Sequence, residues 1–251
     1  RDVAPSRGLG DVYKRQADYM LVYSAYEQGR PNAVELLKDY LDVYPASRHA
    51  DEVNFLIGSA HFGQGEYQKA IFWFNESNID MLSPEQQEAY CFRLAYSLLQ
   101  IGDMEKARGY FARIEQIGTK YREASTYYVA YIDYATGKYN NALVEFTRLK
   151  DLPDYKERSL YYITQIYFIQ NKYEKVISEG KELLASYPDS ENNSEVYRIM
   201  GNAYYHLGNE DQAINMLSKY VSSTDSPLRG DLYILGVCYY NKGNYLSLIH
   251  I

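Results

Sequence analysis

The feature that most constrains this chain is a turn residue that returns at a nearly constant interval. It stands at Gly29, Gly65, Gly102, Gly137, Asn171, Gly208 and Gly243, at steps of 36, 37, 35, 34, 37 and 35 residues. A period of this size marks a helical repeat array. The stretch from Ile199 to Leu217 shows the unit: one helix, a tight turn at Gly208, and a second helix. Five residues after each internal turn comes Ala70, Ala107, Ala142, Val176 or Ala213. Seven residues before the turns lie Gly58, Ala95, Ala130, Thr164, Gly201 and Gly236. Short side chains in both columns let two helices cross closely. Four residues after the mostly-alanine column stand Phe74, Phe111, Phe146 and Leu217, on the same helical face. The pattern predicts an all-α chain of antiparallel helix pairs. Each pair is too thin to bury its own apolar face and must stack on its neighbours.

The order of small residue, aromatic, glycine, alanine and aromatic resembles the tetratricopeptide repeat (TPR) family. It is matched by Gly58, Gly65, Tyr67, Ala70 and Phe74, and again by Gly201, Tyr204, Gly208 and Ala213. The resemblance implies a right-handed α-solenoid of about six TPR-like repeats plus a truncated seventh. Departures fall inside single repeats. The family's early Trp is replaced by Asn54, Cys91, Thr126, Leu160, Tyr197 and Leu232. Its late small residue is larger at Ile114, Leu149, Leu183 and Tyr220. The fifth copy has Asn171 for the turn glycine and Gly180 for the aromatic. Helix starts are read at Pro31, at Ser83-Pro84-Glu85-Gln86 (a capping Ser with Gln three residues on), and near Glu123, Glu157 and Ser194. The last helix is expected to end near Asn241. No linker is long enough to divide the array.

The two ends carry a different signature. Asp11-Val12-Tyr13-Lys14-Arg15-Gln16 can be encoded GAT GTG TAT AAG AGA CAG. The reverse complement of that string translates as Leu-Ser-Leu-Ile-His-Ile, which is Leu246 to Ile251. The string resembles the transposon end used to build sequencing libraries, and its usual upstream arm gives Ser6 to Gly10. Residues 1–16 and 246–251 are therefore expected to be adapter-derived and non-native, and 17–245 to be the solenoid, a fragment of a longer protein. A genuine basic tail and apolar end are the alternative. Solenoids need polar end caps. The seventh repeat, lacking its second helix, is expected to fray or to self-associate.

The chain has a net charge of −7. Residues 1–16 hold four basic and two acidic groups, so the remainder carries −9. Such a balance argues against nucleic acid, whose capture rests on phosphate neutralisation. No apolar run reaches the ~18 residues of a membrane span. Cys91 and Cys238 are expected to be separate buried thiols, and no metal-ligand spacing or cofactor motif is found.

No catalytic constellation emerges either. His49, His61 and His206 fall in different repeats, and His61 occupies a core column usually held by Tyr, as a packing residue would. Gly58, Gly63 and Gly65 lack the order and strand context of a phosphate loop. What remains is a surface. In the resembling family the first helix of each repeat lines a concave groove. Here its columns hold Phe55, Phe62, Phe92, Tyr96, Tyr127, Tyr131, Tyr134, Tyr161, Phe168, Tyr205, Tyr233 and Tyr240. Arg158, Gln165, Arg198 and Asn202 are interspersed. The chain has 30 Tyr against 8 Phe, and Tyr joins flat contact area to a hydrogen-bonding tip, which suits interfaces. The expected partner is an extended or helical protein segment. Alternatively, the rings pack only on neighbouring helices.

A carboxylate-clamping groove is disfavoured. Arg198 and Asn202 occupy two plausible positions, but Gly230 and Ile234 occupy the next. The leading expectation is a non-catalytic interaction scaffold. Alternatively, the array is the recruiting or regulatory arm of an enzyme whose catalytic domain lies beyond Tyr245. An RNA-binding repeat is disfavoured by charge. The junctions Tyr44-Pro45-Ala46-Ser47 and Tyr187-Pro188-Asp189-Ser190 resemble those of bacterial envelope TPR proteins, which implies a periplasmic or envelope setting.

Overall fold

The computed structural model of the chain describes residues 5–244. Residues 1–4 and 246–251, parts of the expected adapter-derived ends, lie outside the described residues. The helices are α1 (Pro5–Glu27), α2 (Ala33–Val43), α3 (Ala50–Gly63), α4 (Tyr67–Asn75), α5 (Pro84–Gln100), α6 (Met104–Ile117) and α7 (Arg122–Ala135). They continue with α8 (Tyr139–Leu149), α9 (Pro153–Ile169), α10 (Tyr173–Ser186), α11 (Asn193–His206), α12 (Glu210–Ser222) and α13 (Arg229–Asn241). A short 3₁₀ turn, Ile79–Met81, precedes α5, and no strand occurs among the described residues. The fold is an α-solenoid of helix pairs.

The chain forms two compact units, Arg1–Val129 and Ala130–Ile251. The division falls within α7 and not at a linker. In the first unit each helix from α1 to α6 packs on the next, and α3 also touches α5. In the second the same holds from α8 to α13, with α9 on α11 and α11 on α13. Contacts between near neighbours in sequence are what a stack of thin pairs requires.

All seven turn residues have a left-handed backbone, from φ +56° at Asn171 to +87° at Gly102. In that region a Cβ crowds the backbone, so glycine at most of these positions lets the second helix reverse without strain. At the crossings, a Cβ built on Gly58 would stand 2.7 Å from a Phe74 ring carbon, and one on Gly201 2.6 Å from Leu217 Cγ. The two sequence columns thus meet one another in space. Phe74, Phe111, Phe146 and Leu217 are fully buried, as are Ala70, Ala107, Ala142, Val176 and Ala213. Burying a Phe or Leu contributes about 1.5–3 kcal/mol over leaving it exposed, so these columns hold the stack together. The fifth repeat, which lacks an aromatic at Gly180, is filled from the next helix. A Cβ there would meet Met200 Sδ at 2.6 Å.

Helix starts follow local chemistry. Ser83 Oγ accepts the Gln86 backbone N–H at 3.3 Å, while Gln86 Oε1 accepts the Ser83 N–H at 3.0 Å. That reciprocal pair is the expected capping box. Two starts differ from expectation. α2 opens at Ala33 behind Asn32, so Pro31 sits in the preceding turn. α9 opens at Pro153 rather than near Glu157, because a proline in the first turn loses no hydrogen bond and Asp154 favours the helix N-terminus. α1 runs unbroken from Pro5 through Gln16, where Gln16 Oε1 accepts from Arg48 Nη2 at 2.6 Å.

Candidate functional site

The aromatic columns of the first helices form two patches, one in each unit. In the first unit Phe62, Phe92 and Tyr96 are brought together. Phe62 and Tyr96 lie 5.8 Å apart edge to face, and Phe92 and Tyr96 lie 6.5 Å apart. Rings outside the expected set complete the cluster. Tyr121 stacks on Phe92 at 4.6 Å, and Tyr128 bridges Tyr96 at 5.5 Å and the core ring of Phe111 at 5.0 Å. Tyr127 touches Tyr128 at 5.4 Å. Phe55 belongs to the interior instead: it is 4 % exposed, 6.1 Å from Phe74, with Arg93 over its ring at 5.6 Å. It sits too deep to offer much surface to a ligand.

In the second unit Tyr131 and Tyr134 pack on Tyr162, at 6.0 and 5.0 Å. Tyr162 in turn stacks on buried Phe146 at 4.8 Å and adjoins Tyr161 at 5.3 Å. Tyr131, Tyr134, Tyr161 and Phe168 are all half-buried. Burial pushes the Tyr134 and Tyr161 phenols above their ordinary pKa, and the charge of Glu195 pushes in the same direction. Tyr205 is half-buried beside His206 at 5.7 Å. On α13, Tyr233 and Tyr240 are 72 % and 62 % exposed.

The polar members have internal partners. Arg198 Nε and Nη2 donate to the two oxygens of Glu195 at 2.7 and 2.6 Å, and its guanidinium lies 5.8 Å from the centre of the Phe168 ring. Those bonds raise the Arg198 pKa against the effect of burial. Gln165 Nε2 reaches Glu195 Oε1 at 3.4 Å. Asn202 is buried, 6 % exposed, and donates to Asp231 Oδ1 at 2.7 Å. Glu195 and Asp231 lie outside the expected set. Both stand one turn or less from the start of their helices, where carboxylates read as ordinary N-terminal charge.

The remaining reactive groups lie elsewhere. Cys91 and Cys238 are buried free thiols, as expected. His61 is buried, its Nδ1 2.6 Å from Glu66 Oε2. His206 is exposed and stacks on Tyr173 at 4.6 Å. Among the described residues no cluster of His, Cys, Asp or Glu could hold a metal ion, and no helix is long and apolar enough to cross a membrane.

Helix pairs at this period, turns in the left-handed region and small-residue crossings coincide with matches to tetratricopeptide repeat family models at residues 19–79, 88–116 and 195–223. The chain carries tetratricopeptide repeats. Solved structures of TPR proteins share the fold. One from Parabacteroides merdae ATCC 43184 is 15 % identical with a TM-score of 0.57, over 92 % of this chain and 87 % of that one. YrrB, a TPR protein described as having an unusual peptide-binding site, is 11 % identical with a TM-score of 0.60, over 84 % and 99 %. MamA is 16 % identical with a TM-score of 0.57, over 72 % and 98 %. No curated protein matches the sequence.

Proposed function

We propose that this TPR chain is a non-catalytic interaction scaffold whose half-buried aromatic face holds an extended or helical segment of a protein partner. The observation that carries this is the arrangement of Tyr131, Tyr134, Tyr161 and Phe168. Their partial exposure leaves ring surface available, while contacts such as Tyr134 on Tyr162 at 5.0 Å hold part of the set in place. Such pre-positioned rings bind with little loss of side-chain entropy. The described peptide-binding site of the structurally similar YrrB supports a peptide ligand for the fold.

A phage-displayed peptide library selected on the full chain tests the proposal. Selected peptides should bind the parent chain, and the combined substitution Tyr131→Ala, Tyr134→Ala and Phe168→Ala should weaken them about tenfold or more, in the range of truncated interface anchors. Circular dichroism should show unchanged helicity. Equal binding by the triple variant would place the ligand elsewhere.

A further inference from the structure

The second unit holds a polar cluster whose charges do not balance. Glu195 and Arg198 come from α11 and Asp231 from α13, with Asn202 and Gln165 alongside. One guanidinium faces two carboxylates. Arg198 gives both hydrogen bonds, at 2.6 and 2.7 Å, to Glu195, whose side chain is 33 % exposed. Asp231, with a side chain only 6 % exposed, gets the weaker share: Arg198 Nη1 stands 3.8 Å from its Oδ2. That oxygen is buried and accepts no hydrogen bond. Asp231 Oδ1 alone is satisfied, by Asn202 at 2.7 Å.

This distribution runs opposite to what burial favours. A desolvated carboxylate needs a close cation more than one that water can reach. The guanidinium is nevertheless committed to the wetter partner. A cation arriving from outside and taking Glu195 would free Arg198 to close the 3.8 Å gap and satisfy Asp231 Oδ2. The surroundings suit such a cation. Phe168 lies beneath Arg198, and Tyr134 and Tyr161 are close enough to Glu195 to feel its charge. Aromatic faces around a carboxylate attract ammonium and guanidinium groups. The chain's net charge of −7 favours approach by a basic partner.

We propose that the Glu195–Arg198–Asp231 cluster, resting on the groove assigned above, receives a lysine or arginine side chain of the partner segment. Glu195 takes the incoming cation, and Arg198 transfers its hydrogen bonding to Asp231. The same geometry disfavours a C-terminal carboxylate, because Arg198 and Asn202 are already engaged by the two acids.

Three peptides with carboxyfluorescein on the N-terminal amine test this: (Leu-Lys)4-amide, (Leu-Gln)4-amide and (Leu-Glu)4-amide, titrated into the full chain by fluorescence anisotropy. The Lys peptide should bind at least about tenfold more tightly than the other two. Glu195→Gln should weaken it about tenfold, while Glu191→Gln, which removes the same charge from an exposed site outside the cluster, should leave it nearly unchanged. The Arg198 Nε–Hε resonance should shift on binding the Lys peptide. Equal weakening by both variants would reduce the preference to general charge attraction and overturn the site. Equal binding of all three peptides, lost in the Tyr131, Tyr134 and Phe168 triple variant, would overturn the charge preference and leave the groove standing. Binding by none of the three would overturn both.

Discussion

Gly201 and Leu217 meet where α11 crosses α12: a Cβ on Gly201 would stand 2.6 Å from Leu217 Cγ and 3.1 Å from its backbone nitrogen. Leu217 is fully buried and cannot swing away into solvent. Gly201→Ala should therefore destabilise the chain by about 1–3 kcal/mol, overpacking outweighing the roughly 1 kcal/mol of helix propensity that alanine adds. Gly180→Ala should cost less, because its nearest neighbour at 2.6 Å is the flexible Met200 thioether. Gly109→Ala, exposed within α6 with nothing inside 4 Å, should stabilise by up to about 1 kcal/mol. Urea unfolding midpoints of the three variants check the order. A Gly201→Ala midpoint at or above the parent's would show that the crossing has room.

The buried thiol of Cys91 supplies a pH prediction. Burial pushes its pKa up to about 11, from an ordinary value near 9. The folded state therefore holds the proton more tightly than the unfolded chain. The resulting stabilisation is fully present below pH ~9, falls as the unfolded thiol ionises, and is lost as pH rises through about 11. At pH 8 the raised pKa makes thiolate roughly 100-fold scarcer than in an exposed cysteine. In a Cys238→Ala background, DTNB should label Cys91 at least about 100-fold more slowly in the native state than in guanidinium chloride. Native labelling at the unfolded rate would show that α5 opens freely at this position.

The columns with a steric cause were the most legible part of the sequence. A left-handed turn selects glycine, and a close crossing selects a small residue opposite a large one. Period, turns and the pairing of Gly58 with Phe74 could therefore be read without coordinates. The candidate site was legible only where the repeat frame carried it. Tyr128 and Tyr162 sit one position from expected groove residues, Tyr127 and Tyr161, yet they link the surface rings to Phe111 and Phe146. A one-residue step turns a side chain about 100° around the helix, and only packing shows which neighbour it reaches. Glu195 and Asp231 were missed for a related reason. Each looks like a first-turn carboxylate, and their convergence on Arg198 depends on the packing of α11 against α13. Phe55 fits the groove column but points to the core ring of Phe74.

Asn171 is the exception that tests the turn column directly. It is the one non-glycine with positive φ among the described residues, at +56°. Asparagine tolerates this region better than other residues with a Cβ. The turn is held by the Asn171 N–H to the Phe168 carbonyl and the Lys172 N–H to the Tyr167 carbonyl, both at 2.9 Å. The Asn171 side chain also accepts the Tyr173 hydroxyl at 2.9 Å, an exposed bond that Gly and Ala both remove. Comparing Asn171→Gly with Asn171→Ala therefore isolates the backbone. Alanine should be the less stable by about 1–2 kcal/mol, the cost of placing an ordinary L-residue in the left-handed region. The loss should appear first as faster amide exchange at the α9–α10 turn, since repeat arrays open locally before they unfold as a whole. Equal midpoints and equal exchange in the two variants would mean that the turn relaxes to negative φ, and that spacing, not backbone handedness, sets the reversal of the chain in this repeat.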